Sequence, residues 1–202
     1  MALKTGDVLF TVNVTKGSTA LRKIIHAVQV VGSIGGGGHA SSIHVLLATG
    51  QGDLVMESIG SGLVQGRLSA GTYRQYRYKG PMKHEVRNCA VWSAEDFLVQ
   101  KKQSPSGYGA YGTVKAVLSP FRTNKPQTAA NAKSQQFGHG AKNNALFFCS
   151  NFVFRCYAAA GEACGLANLV IPNSHKEISP RDLEAHLQAA QHWQSVGEFV
   201  QP

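Results

Sequence analysis

The segment FFCSNFVFRCYAAAG (Phe147–Gly161) predicts a buried helix that begins at Cys149 and ends near Gly161. Gly161 is a typical stop because glycine is a poor helix former. Apolar side chains recur at helical spacing on one face. That face is formed by Phe152, Cys156, Ala159 and Ala160. The rest of the chain is expected to pack around this helix.

The position of Cys149 in the first turn of the helix favours a reactive thiol. Unpaired backbone N–H groups and the helix dipole favour an anion at this end, so a thiol there loses its proton more easily. A thiolate beside a histidine is a nucleophile. A free cysteine is also among the most buried residue types, so a plain core role is the alternative. The segment alone leaves both interpretations open.

Composition indicates one globular domain spanning residues 1–202. Hydrophobic residues make up 43% of the 202 residues and charged residues 15%, enough for a sizeable core. No apolar run reaches the length of a membrane span, so stable membrane insertion is not expected. Residues 1–7 lack the apolar core of a signal peptide, which predicts synthesis in the cytoplasm without a leader.

The four cysteines are too few and too irregularly spaced to predict a disulfide scaffold. The chain has no Cys-x-x-Cys pair, so a structural zinc site is not expected either. No organic cofactor is implied by any motif.

The net charge of +9 predicts an anionic partner. Residues 58–84 contain no acidic residue but five basic ones, and residues 123–144 carry lysines without any acid. Nucleic acid, anionic lipid and anionic cell wall all fit this charge, as does simple solubility.

A hairpin is predicted from residues 43–48 and 53–58. A two-residue turn at Gly50-Gln51 would be of type II′ and would place His44 directly opposite Glu57. Opposed residues share a face of the sheet, so a histidine and a carboxylate would stand side by side. A three-residue loop would separate them. The alternatives are a half-buried histidine without a role and a solvated carboxylate; His39, after the glycine run 35–38, is a rival histidine.

The other patterns predict ordinary elements. Residues 123–144 are polar and without periodicity, which predicts a long loop. The further predictions are a strand at 8–12, a helix following Ser18, a basic and aromatic strand at 73–78, a short helix capped by Ser93 with Asp96 three residues on, a helix within 108–117, an extended piece at 169–172, a helix starting at Ser179-Pro180 and a last strand at 193–200.

The chain resembles circularly permuted papain-like enzymes of the NlpC superfamily, in the YiiX/YaeF-like branch. In that branch the histidine hairpin precedes the cysteine helix, as it does here. The resemblance covers most of the chain and differs from the usual family pattern at Ile43 and Ser58. It is carried by Gly6-Asp7-Val8-Leu9-Phe10, Ile43-His44-Val45, Val55-Met56-Glu57-Ser58, Phe148-Cys149-Ser150 and Ser179-Pro180-Arg181-Asp182-Leu183.

The resemblance implies an α+β, permuted papain-like fold, with an antiparallel sheet packed against the helix that carries the nucleophilic cysteine. It implies Cys149 as the nucleophile, His44 as the general base and Glu57 as the residue that orients the imidazole. Asp7 could lie near such a site, although a turn residue before a strand is the simpler interpretation. Neither a metal nor an organic cofactor is implied.

Relatives of this kind mostly cut peptide amide bonds in peptidoglycan, and the basic chain also resembles antibacterial effectors of the type VI secretion system. The expected partners are therefore peptidoglycan or another anionic amide substrate, an immunity protein and a secretion apparatus that delivers the protein to a target-cell periplasm. Two alternatives stay open. One is a lipid-directed thiol acyltransferase or esterase; the other is a non-catalytic module that binds nucleic acid through the basic strand, which is the less expected of the two.

Overall fold

The computed structural model describes residues 2–12, 42, 44–59, 62–103, 149–171 and 180–202. This part of the chain is α+β, with a six-stranded antiparallel sheet and three helices. The strands are β1 (Val8–Thr11), β2 (His44–Ala48), β3 (Leu54–Ile59), β4 (Gly62–Arg67), β5 (Gly71–Tyr78) and β6 (Trp193–Gln201). The helices are α1 (Lys83–Gln103), α2 (Cys149–Ala163) and α3 (Pro180–Ala189).

The sheet has the order β4-β3-β2-β1-β5-β6, so β1 and β2 lie at its centre. Both central strands are short and almost wholly apolar, as expected of strands that are covered on both faces. Val45 and Leu47 point into the main core under the helices. Leu9 and Leu46 point to the opposite face, where they belong to a smaller apolar cluster.

The helix α2 forms the middle of the main core. It packs against α1 on one side and against β2 and β3 on the other. Phe152 meets Phe97 of α1 with ring centroids 6.4 Å apart, and Tyr157 meets Trp193 of β6 at 4.7 Å. Two residues past the end of the helix lies a left-handed glycine, Gly165, with φ of +70°. This conformation caps the helix because it returns backbone N–H groups to its last carbonyls.

Most predicted elements within the described residues are confirmed. The helix from Cys149 continues two residues past Gly161, and the strands at 8–12, 73–78 and 193–200 form as β1, β5 and β6. The helix that includes Pro180 is also confirmed, with Leu183 and Leu187 buried. None of the helices in the described ranges is long and apolar enough to cross a membrane.

Two predicted elements are wrong. Ser93 does not cap a short helix, because it lies buried in the interior of the 21-residue α1. Residues 169–171 form a turn instead of an extended piece, since the N–H groups of Leu169 and Val170 bond to the carbonyl of Leu166. The helices predicted after Ser18 and within 108–117, and the long loop at 123–144, lie outside the described residues.

Candidate active site

Three elements bring together the three residues expected to be catalytic. His44 is the first residue of β2, Glu57 lies in the adjacent β3, and Cys149 is the first residue of α2. Since α2 packs on both strands, its N-terminus meets the end of the hairpin at which β2 begins. The rival histidine, His39, lies outside the described residues.

The imidazole of His44 and the carboxylate of Glu57 form a short ion pair. The distance between Nε2 of His44 and Oε2 of Glu57 is 2.5 Å. The side chains are 15% and 19% exposed, so most of the pair is shielded from water. The contact at Nε2 leaves Nδ1 as the ring nitrogen that can face the thiol.

The predicted hairpin register is wrong by two residues. Leu46, and not His44, stands opposite Glu57. The turn is longer than predicted because Thr49 pairs with Leu54, which leaves the four-residue loop 50–53. A shift of two residues keeps every side chain on its face of the sheet, so His44 and Glu57 still meet, now diagonally.

The loop has this length because of two glycines with positive φ, Gly50 at +85° and Gly52 at +62°. Gly50 also lies against the N-terminal segment, where an added Cβ would come within 2.8 Å of the backbone nitrogen of Thr5. A tight two-residue turn needs one such glycine. Here two of them, with the contact to Thr5, specify a wider turn.

The Cys149 thiol is hydrogen-bonded to His44. Burial by itself raises the pKa of Cys149. The hydrogen bond and the charge of His44, together with backbone hydrogen bonds from Val45 and Ser150, outweigh burial and lower this pKa below its ordinary value. The Ser150 bond comes from the first turn of α2, where a sulfur anion is favoured.

The pKa of His44 moves in the opposite direction. Burial by itself lowers it, but hydrogen bonds and charges from Cys149 and from Glu57 raise it to about 9. A lowered thiol pKa beside a raised imidazole pKa favours the pair in which Cys149 is a thiolate and His44 an imidazolium. Glu57 stabilises that cation from the other side of the ring.

Asp7 does not belong to this site. Its carboxylate is fully buried and accepts two bonds of 2.6 Å from the guanidinium of Arg77 and one of 2.5 Å from Gln75. Its backbone accepts from Ala48, at the end of β2 opposite His44. Asp7 therefore ties the start of β1 to β5, which fits its interpretation as a structural residue.

A buried polar cluster that sequence reasoning missed lies next to the start of β2. Glu184 of α3 accepts hydrogen bonds from Ser42 and from Tyr76, the latter at 3.1 Å, and pairs with Arg74 at 2.9 Å. Ser42 precedes His44 by two residues. A carboxylate beside Leu183, on the apolar side of an amphipathic helix, was the available signal.

The basic and aromatic strand, β5, has its three tyrosines buried. Tyr73, Tyr76 and Tyr78 are each at most 2% exposed, so their rings cannot stack on bases. Arg77 is buried against Asp7. A nucleic-acid-binding module therefore stays an untested alternative, and within the described residues it would have to use cations other than Arg77 and rings other than these three.

No group of three or more His, Cys, Asp or Glu side chains within the described ranges is arranged to hold a metal ion. The comparison with protein-family models finds no match for the chain. Curated proteins give no match. Solved structures give none either.

Proposed function

We propose that this protein is a cysteine hydrolase of amide bonds, built on a permuted papain-like fold. The observation that carries the proposal is the line of contacts Cys149–His44–Glu57, in which a thiol at a helix start meets an imidazole that is held by a carboxylate. A core cysteine needs neither partner. The order of the elements, with the histidine hairpin before the cysteine helix, supports the permuted form of the fold.

The first half of the reaction forms an acyl-enzyme. The Cys149 thiolate attacks the carbonyl carbon, and the N–H of Cys149 at the helix start is the candidate donor to the oxyanion. The His44 imidazolium then gives its proton to the departing amine nitrogen as the C–N bond breaks. Glu57 remains ionised and keeps the ring in the orientation and tautomer that this transfer requires.

The second half releases the acyl group. His44, now neutral, takes a proton from water, and the resulting hydroxide attacks the thioester carbon. The C–S bond breaks and the sulfur leaves as a thiolate, which restores the ion pair with His44. An acceptor alcohol or amine in place of water would give acyl transfer by the same steps.

The proposed substrate is the stem peptide of peptidoglycan. Its support is the resemblance to wall-peptide hydrolases and the net charge of +9, which suits an anionic wall polymer. The proposal includes delivery to a target-cell periplasm by a secretion apparatus, and an immunity protein that protects the producing cell. Lipid-directed acyl transfer is the alternative substrate class.

The deciding experiment is digestion of purified peptidoglycan, with the products separated and weighed by mass spectrometry. The wild type should release cut stem peptides and Cys149→Ala should release none. Cys156→Ala is the matched control, because it removes a buried thiol from the same helix, away from His44. Cys149→Ala should keep its circular-dichroism spectrum.

Equal release by wild type and Cys149→Ala would overturn the enzyme assignment. Hydrolysis of phospholipid vesicles that depends on Cys149, without any change in the wall peptides, would move the substrate to the lipid class. Expression with a periplasmic leader gives a second readout, since lysis should follow for the wild type and not for Cys149→Ala.

A further inference from the structure

A second pair of thiols lies away from the candidate active site. Cys89 of α1 and Cys164, which directly follows α2, have sulfur atoms 4.0 Å apart, although the residues are 75 positions apart in the chain. Cys89 is fully buried and Cys164 is half-buried. Cys164 lies beyond the far end of α2 from Cys149, about 22 Å along the helix axis at 1.5 Å per residue.

We propose that Cys89 and Cys164 form an oxidation site, where a disulfide-class oxidant converts the two thiols into an intramolecular disulfide. The chemistry is independent of the proposed hydrolase, because it uses neither Cys149 nor His44 and Cys164 lies past the opposite end of α2 from Cys149. It adds a crosslink that the cysteine spacing in the sequence did not predict.

The geometry favours this pair over any other in the described ranges. A disulfide needs its sulfur atoms about 2.05 Å apart, so the two atoms must approach by about 2 Å. Cys164 lies in the turn after α2, outside the regular helix, and its side chain reaches the surface. Cys156 is fully buried within α2, and Cys149 is hydrogen-bonded to His44.

The reaction balances as two thiol–disulfide exchanges. Cys164 loses its proton and attacks one sulfur of the oxidant, which gives a mixed disulfide and releases one thiol. Cys89 then attacks the sulfur of Cys164 and its proton passes to the departing sulfur, so that the new S–S bond forms as the mixed disulfide breaks and the second thiol is released. Two protein thiols are oxidised and one oxidant disulfide is reduced to two thiols.

The environments of the two sulfurs support this order of attack. The hydrogen bond with Cys89 lowers the pKa of Cys164, which is also the sulfur that an oxidant can reach. The hydrogen bond with Cys164, and then burial, raise the pKa of Cys89. Cys164 is thus suited to attack the oxidant, and Cys89 is placed to resolve the mixed disulfide.

The crosslink would join the end of α2 to the N-terminal third of α1. These two helices form the main core together, and the bond would close a long loop of the chain. A disulfide that closes such a loop restricts the unfolded chain and raises the melting temperature. The expected rise is roughly 5–15 °C for a chain of this size.

The test starts from fully reduced protein incubated with oxidised glutathione at pH 8. Remaining thiols are alkylated in denaturant, and the digest is mapped without reduction. The wild type should yield one crosslinked peptide pair containing Cys89 and Cys164, with the melting temperature raised. Cys164→Ser, a small change at a half-buried turn position, should yield no such pair and no rise, whereas Cys156→Ala should behave as the wild type.

Four alkylated thiols in the oxidised wild type would overturn the proposal. So would a lasting glutathione adduct on Cys164 with Cys89 still reduced, since the resolving step would then fail. A crosslink that joins Cys149 or Cys156 instead would also refute the assignment. The mapping uses no substrate, so these outcomes are separate from the success or failure of the proposed hydrolase.

Discussion

At the scale of single residues, the opposite pKa shifts of Cys149 and His44 predict how activity depends on pH. The thiolate form accumulates below the ordinary pKa of a thiol, so the acidic limb of the hydrolysis profile should lie at a lower pH than a free cysteine would give. The alkaline limb should fall near pH 9, where His44 loses the proton that the leaving amine needs.

Alkylation of Cys149 by iodoacetamide separates these two limbs. The reagent needs the thiolate and no proton donor, so its rate should rise along the acidic limb and then stay level through pH 9. Hydrolysis should instead give a bell-shaped profile. A labelling rate that begins to rise only at the pKa of an unperturbed thiol would refute the ion pair.

Glu57→Gln should destabilise the protonated form of His44 and leave the imidazole itself in place as a base. Without the carboxylate, the pKa of His44 falls, so the alkaline limb should move to lower pH. The maximal rate should fall by roughly 10²-fold, the lower end of what positioned acid–base groups contribute. The control is Asp53→Asn, which removes one negative charge from the turn of the same hairpin.

The measurement is the pH profile of hydrolysis for each variant. Asp53→Asn should keep both limbs and the maximal rate. His44→Ala should be more damaging than Glu57→Gln, because it removes the proton carrier itself. An unchanged alkaline limb in Glu57→Gln would show that the 2.5 Å contact does not set the charge of His44.

At the scale of elements, Glu184 fixes α3 to the sheet. Its carboxylate is 3% exposed and meets Arg74 and Tyr76 of β5 as well as Ser42. Burial and the charge of Glu184 raise the pKa of Tyr76 to about 12, so the hydroxyl keeps its proton and remains a donor. A buried ion pair of this kind is costly to break from one side, since the other charge stays behind.

Glu184→Ala should therefore lower the free energy of unfolding by about 3–5 kcal/mol, the range for breaking a buried pair. Gln188→Ala is the matched control on the same helix, because Gln188 is exposed, and its effect should stay within about 0.5 kcal/mol. Urea denaturation followed by circular dichroism measures both. A loss below about 1 kcal/mol for Glu184→Ala would contradict this prediction, because it would show that water hydrates Arg74 once the carboxylate is removed.

The same comparison of elements shows where sequence reasoning succeeds. The α2 helix and the strand periodicities are local signals, so the helix from Cys149 and the face shared by His44 and Glu57 could be predicted. The register could not, because Gly50 of the turn packs against Thr5, a residue distant in sequence that no local turn pattern contains. The site requires only that His44 and Glu57 lie on the same face of the sheet, and a shift of two residues keeps them there.

Other errors have the same physical origin. Ser93 followed by Asp96 looks like a cap, yet the core contacts of α1 continue through both residues and override the local signal. The cluster around Glu184 joins Ser42, β5 and α3, so no local window contains it. Long-range pairs of buried polar groups are where a single sequence is least informative.

At the scale of the whole molecule, the net charge of +9 is not spread as the sequence suggested. Arg74 and Arg77 of the basic segment form buried ion pairs with Glu184 and Asp7, respectively. The exposed cations of that segment are Arg67, Lys79 and Lys83. The second basic segment, 125–142, lies outside the described residues. Exposed cations of this kind attract anionic polymers over about one Debye length, and salt screens that attraction.

Salt should therefore weaken attachment to the wall far more than it slows the chemistry. The reacting groups are mostly shielded and in contact, so screening changes their interactions little, whereas the exposed cations lose their attraction as the Debye length falls from about 10 Å at 0.1 M to 3 Å at 1 M. Sedimentation of Cys149→Ala protein with peptidoglycan sacculi should show binding that falls steeply over this range. Cleavage of a short, uncharged stem-peptide analogue by the wild type should change less than about twofold.

Lys79→Glu combined with Lys83→Glu should reduce binding to the sacculi at low salt and leave cleavage of the analogue intact. The control is Gln188→Glu, which adds one negative charge on α3. Binding that ignores salt would assign wall attachment to apolar or hydrogen-bonding contacts, and the positive charge would then have no part in selecting the substrate.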